Sequence, residues 1–115
     1  MTPEEFEDLR NGPDKPTLTG SQKSHLRGLG QQLEASLKLG KAGLTPAFFG
    51  ELQRHLHALE LVKLRFLGFD RDERASLCVR IAGEGQCECV GAVGHTALFY
   101  RQNPDPALRR ITVPE

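Results

Sequence analysis

The chain has 115 residues, enough for one domain with a modest core, and its 15 basic and 15 acidic side chains cancel, so net charge gives no sign of nucleic acid. No apolar run is long enough to cross a membrane, and no signal-peptide pattern heads the chain. The 3 cysteines include no C-x-x-C pair of the kind that holds zinc. Cys87 and Cys89 would share one face of a strand, a poor start for a disulfide, so reduced thiols in a cytoplasmic protein are expected.

Residues 1–16 carry Glu4, Glu5, Glu7, Asp8 and Asp14 against Arg10 and Lys15, a net of −3, and hold three prolines without a clear period. They read as a flexible acidic leader, with the folded domain over 17–115. Thr19 or Ser21 can cap a first helix running to about Leu29, with Leu26, Leu29 and Leu33 as its apolar positions. Ala35 to Leu39 then alternates, Leu37 and Leu39 inward and Lys38 outward, which is strand periodicity. Thr45 and Pro46 suit the cap and first position of a helix over about Pro46 to Ala58, where Phe48, Leu52, Leu56 and Leu59 form one stripe.

A second strand follows in "LVKLRF", with Val62, Leu64 and Phe66 on one side and Lys63 and Arg65 on the other. Asp70-Arg71-Asp72-Glu73 opens a third helix with acid at its positive end. Ala75, Leu77, Cys78, Ile81 and Ala82 supply its buried side, and Gly83 and Gly85 stop it. Cys87 to Val93 and Thr96 to Tyr100 read as a hairpin turning at Gly94-His95, and Arg109 to Val113 as a short extended segment. The order α-β-α-β-α-β-β implies an α/β (α+β) fold on a four-stranded mixed sheet, with a crossover making one parallel strand pair.

The segment Gly40-Lys41-Ala42-Gly43 joins a strand to a helix start. Helix N-termini expose unpaired N–H groups and partial positive charge, and glycines let a phosphate come close to the backbone. A G-x-x-G tetrapeptide alone is a weak sign, and the Walker phosphate loop is excluded because no Gly-Lys-Ser/Thr follows. Residues 23–65 have a net charge of +4, and Lys38, Lys63 and Arg65 fall on the non-core side of the flanking strands. As neighbours, those strands would make a basic track with a phosphate clamp at one end.

These elements resemble the CRM domain (chloroplast RNA splicing and ribosome maturation) in its single-domain bacterial YhbY-like form. That family typically writes a helix of the type "LxxxQKxxLrxLA", then "iGKxGlT", a helix and "ELvKvr". Here the matching pieces are Gln22-Lys23 to Leu29, Leu39 to Thr45, and Glu60-Leu61-Val62-Lys63-Leu64-Arg65. Leu98-Phe99-Tyr100-Arg101 is similar to its closing "lYR", and Ile111 to Pro114 to its terminal "IxLP". The chain departs from the family in writing Leu29-Gly30 for "LA" and in being neutral where members are commonly basic.

The resemblance spans about 18–114. It implies a sheet like that of the C-terminal domain of translation initiation factor 3. It also implies an RNA-binding surface of Lys38, Gly40, Lys41, Ala42, Gly43, Lys63, Arg65 and Arg101, and association with ribosomal RNA in large-subunit precursors. No metal, cofactor or membrane partner is expected, and the chain is expected to be a monomer. His25 and His95 have no catalytic company, and His55 and His57 diverge around a helix, so no enzyme chemistry is indicated. With Tyr100 the only tyrosine and few aromatics in all, base stacking is not the expected mode of binding. The alternative is a protein–protein adaptor that docks its basic face on an acidic partner.

Overall fold

A computed structural model describes residues 18–114; the expected leader lies outside them. Helix α1 spans Gly20–Gly30, strand β1 Leu37–Leu39, helix α2 Pro46–Leu59 and strand β2 Leu61–Phe66. Helix α3 follows over Arg71–Glu84, then strands β3 over Glu88–Val93 and β4 over Thr96–Tyr100, and a 3-10 turn at Pro106–Leu108. The four strands form one mixed sheet in the order β1-β2-β4-β3. β1 runs parallel to β2, so α2 is the crossover, and β4 lies antiparallel to both β2 and β3. No described helix is long and apolar enough to cross a membrane.

Local chemistry explains where the helices begin. The Thr19 hydroxyl accepts from Gln22 N while the Gln22 side chain accepts from Thr19 N, a reciprocal capping box; Ser21 lies inside the helix. Thr45 caps α2 through Phe48 N at 3.1 Å, with Pro46 in the first turn. Asp70 and Glu73 make a second capping box on α3.

The sheet is covered on both faces. On one, Val62, Leu64, Phe66 and Phe99 pack against Leu52 and Leu56 of α2 and Cys78 and Ile81 of α3. On the other, Leu26 of α1 packs on Leu61, Val90, Leu98 and Tyr100, with Ile111 and Val113 from the C-terminal segment beside them. This second layer corrects the sequence reading of α1. The contact stripe runs from Leu26 to Gly30, where a Cβ would come within 2.3 Å of the Leu98 side chain, so the helix needs glycine to lie this close to the sheet. Leu29 and Leu33 fall at the margin of that stripe and stay 40% and 39% exposed. Leu59, the last position of the expected α2 stripe, is also partly exposed, as are Leu77 and Ala82 on α3, and Ala75 is fully outside; Cys78 and Ile81 carry the α3 contact. α3 runs one residue past Gly83, to Glu84, with Gly85 as its cap.

The short extended segment at Arg109 to Val113 lies outside the four-stranded sheet, and Glu60 holds it there. Glu60 caps α2 with a positive φ of 65° and is 0% exposed. Its carboxylate accepts from the backbone N–H of Asn103 (2.7 Å), Arg110 (2.6 Å) and Ile111 (3.0 Å), and its carbonyl accepts from Arg101 N. Asn103, also buried, donates to His57 O and accepts from Asp105 N. A buried charge with this many donors is satisfied rather than orphaned.

Candidate nucleic-acid interface

The G-x-x-G segment leaves the sheet where β1 ends and turns into α2. Gly43 N donates to Gly40 O at 3.0 Å, and Thr45 N donates to Gly43 O at 3.0 Å. Gly43 has φ of +72°, a region that L side chains rarely adopt, so the turn itself requires this glycine. Gly40 differs. Its φ is not positive, and a Cβ built on it would meet nothing within 4 Å. Neither backbone conformation nor internal packing accounts for the missing side chain, which leaves the chain open from outside. Lys41 and Ala42 are exposed at the tip, and the first turn of α2 carries no acidic residue, so its N-terminal partial charge is not neutralised locally.

Beside this loop, Lys38 of β1 is the direct register partner of Arg65 of β2. Both are exposed, on the sheet face away from α2 and α3. The same row continues through Thr96 of β4 to Val93 of β3. Two cationic side chains therefore rise from neighbouring backbone positions about one strand spacing, ~4.8 Å, apart, next to the glycine loop.

Two expected members of the RNA-binding surface, Lys63 of the basic track and Arg101, are placed otherwise. Lys63 turns toward α1, where its Nζ donates to Gly30 O (3.3 Å) and Leu33 O (3.1 Å), satisfying carbonyls at and just beyond the helix end. Arg101 lies at the opposite end of the sheet, because Tyr100 pairs with Leu61 at the start of β2 whereas Leu39 pairs with Phe66 at its end. Its guanidinium donates to Gln53 Oε1 at 2.6 Å and Gly85 O at 3.4 Å. The structure thus brings together Lys38, Gly40, Lys41, Ala42, Gly43 and Arg65, keeps Lys63 nearby as a helix anchor, and sets Arg101 apart.

The glycine-loop end holds one pair that periodicity did not single out. His95 O accepts from Phe66 N at 2.7 Å, which locks the hairpin turn to the end of β2. Arg74 Nη1 donates to Phe69 O at 2.7 Å and stands 3.3 Å from His95 Nδ1. A guanidinium has only donors, so that ring nitrogen is the acceptor. Nothing in the sequence spacing brings residues 74 and 95 together; only the antiparallel placement of β4 does. Close by, Asp70 caps α3, and Asp72 and Glu73 occupy its first turn.

The profile described as the CRS1 / YhbY (CRM) domain matches residues 18–101. The chain belongs to the CRM family. It is 34% identical over 89 residues to a Pseudomonas aeruginosa protein named as a probable RNA-binding protein, covering 77% of this chain and 86% of that one. It is 30% identical over 93 residues to an RNA-binding protein of Haemophilus influenzae, covering 81% and 94%. The solution structure of a hypothetical Staphylococcus aureus protein, described as a candidate RNA-binding protein, superposes with a TM-score of 0.74 at 26% identity, over 85% of this chain and 100% of that one. The CRM assignment thus rests on sequence and on a shared mixed α/β fold. Among the described residues of this CRM domain, no group of three or more His, Cys, Asp or Glu side chains could hold a metal ion.

Proposed function

We propose that this CRM protein binds structured RNA by clamping a phosphate between the Gly40–Gly43 backbone and the α2 N-terminus. Lys41, Lys38 and Arg65 would hold the phosphates that follow. The observation that carries the reading is Gly40, a glycine with no internal reason, set beside two adjacent exposed cations and an unneutralised helix terminus. RNA-binding relatives support the class of ligand. The resemblance to YhbY-like proteins supports ribosomal RNA in large-subunit precursors as the target and assistance to ribosome assembly as the role.

Side chains that hold phosphates position RNA without reading its sequence. Replacing Lys38, Lys41 or Arg65 with Ala should then lower the slope of log affinity against log salt by roughly 0.7 to 0.9 for each phosphate no longer neutralised, to a similar extent across unrelated structured RNAs. Gly40→Asp should remove most binding while the melting temperature holds, since its Cβ enters open space. Gly43→Asp is a poorer probe because it also strains the turn. Unchanged salt slopes in the folded variants would move the RNA surface elsewhere. For the target, crosslinking in cells followed by sequencing of the bound RNA should recover large-subunit ribosomal RNA.

A further inference from the structure

Helix α1 covers the sheet face it packs on up to one row short of the open end. Its Gly30 lies against Leu98, its Arg27 side chain lies over Gly91, and Lys63 Nζ reaches Gly30 O. Lys63, Leu98 and Gly91 are register partners, so α1 closes over that row from β2 to β3. The next row reads Lys38, Arg65, Thr96 and Val93 across all four strands. Register partners face the same way, so these side chains share the α1 face. Here Lys38, Arg65 and Val93 are exposed and Thr96 is half-buried.

The row is sorted. Two cations stand at one end with no carboxylate among their row partners. Val93 stands at the other, 78% exposed, more than any other large apolar side chain among the described residues. A single exposed valine is ordinary by itself. This one lies in line with Arg65 at two strand spacings, about 10 Å, the reach of one nucleotide from its phosphate to the far edge of its base. Between them, the Thr96 hydroxyl donates to Val93 O at 3.0 Å. Its proton is used inside the turn, and its lone pairs are left to accept.

We propose that this row takes one unpaired ribonucleotide, with its phosphate on Lys38 and Arg65, its 2′-hydroxyl donating to Thr96 Oγ1, and its base against Val93. A continuous duplex keeps its bases stacked inside and has none to lay on Val93, whereas a bulge or loop offers a splayed base. The contact is aliphatic packing on a base face and needs no aromatic platform. The inference deepens the proposed function and rests on Lys38 and Arg65 holding a phosphate.

The test compares the affinity of the full chain for a short RNA duplex carrying a single unpaired adenosine with that for the same duplex fully paired. The bulged RNA should bind more tightly. Val93→Ser should weaken its binding about fivefold, as expected for one lost apolar contact, and leave the paired duplex unchanged. Val93→Phe, with a wider face, should strengthen it. A 2′-deoxy sugar at the bulged position should weaken binding to wild type but not to Thr96→Val. Equal affinity of wild type for the two RNAs, a Val93→Ser loss shared by both, or a deoxy effect that persists in Thr96→Val would overturn the inference. If the salt slopes still fall in Lys38→Ala and Arg65→Ala, the phosphate reading survives that failure; if they hold, both readings go together. The comparison of the two RNAs on wild type decides even if a variant does not fold.

Discussion

At the end of the sheet where β2 begins, a buried carboxylate takes three backbone N–H groups, and Asn103, Arg101 and Gln53 close hydrogen bonds around it. At the other end, where β1 and β2 finish, the chain leaves a glycine over open space, two cations side by side, and a helix terminus without an acid in its first turn. Both ends consist of loops between the same strands and helices. One has turned its carboxylate and backbone amides toward each other; the other has kept donors and charge for something outside. Even within the open end the two helix starts differ. α3 neutralises its own N-terminus with Asp70, Asp72 and Glu73, whereas α2 does not. The contrast separates residues that hold this fold from residues that the fold holds out.

The largest effect is expected from breaking the closed end. Glu60→Ala leaves the N–H groups of Asn103, Arg110 and Ile111 without their acceptor and should cost on the order of 3 kcal/mol or more, read by chemical denaturation. Lys63→Met comes next. Its Nζ serves Gly30 O and Leu33 O, so the variant should lose about 1 kcal/mol of stability while the salt slope of RNA binding holds. A lowered slope would return Lys63 to the basic track.

Tyr100 tests the same layer through pH. Its hydroxyl is buried without a hydrogen-bond partner, and burial first, then the Glu60 charge, push its phenol up to about 12. The folded phenol holds its proton more tightly than the unfolded one, whose ordinary value is 10.0. The linked stability is complete below that value and is lost as pH rises toward about 12. Tyr100→Phe should therefore melt no lower than wild type at neutral pH and should lose less stability above pH 10.0. Because Tyr100 is the only tyrosine, phenolate absorbance follows the titration directly.

Much of this was legible in the sequence, and the gaps have physical causes. Alternation in "LVKLRF" placed Val62, Leu64 and Phe66 correctly, cap chemistry found Thr45, and the acidic run from Asp70 marked the start of α3, because these signals are local. The glycine loop was visible as a strand–loop–helix junction, and Lys38 beside Arg65 followed once the strands paired in parallel. Glu60 was not legible as a hub. Its partners lie 43 to 51 residues away, and an acid before a strand has no periodic signature. Arg101 was drawn toward the RNA surface by a motif that carries no sheet order; once β4 is inserted next to β2, antiparallel, its position moves to the far end.

The smallest expected effect is also the one that isolates the open end best. Ala47 is exposed in the first turn of α2, where a carboxylate would meet the uncompensated N–H groups. Ala47→Glu should stabilise the protein by about 0.3 to 1 kcal/mol through the helix dipole. The same charge would stand where the RNA phosphate is proposed to sit, so affinity should fall, most at low salt. A variant that is more stable and binds less well cannot be explained as damage to the fold. Asp70→Ala makes the mirror experiment on α3. It removes a cap and should cost about 1 kcal/mol. By removing a negative charge from the same end of the sheet, it should leave RNA affinity equal or slightly higher at low salt. Arg80, which pairs with Glu84 at 3.5 Å near the end of α3, is the control for both. If Ala47→Glu binds RNA as well as wild type, no phosphate occupies the α2 terminus, and the two helix starts differ only in sequence.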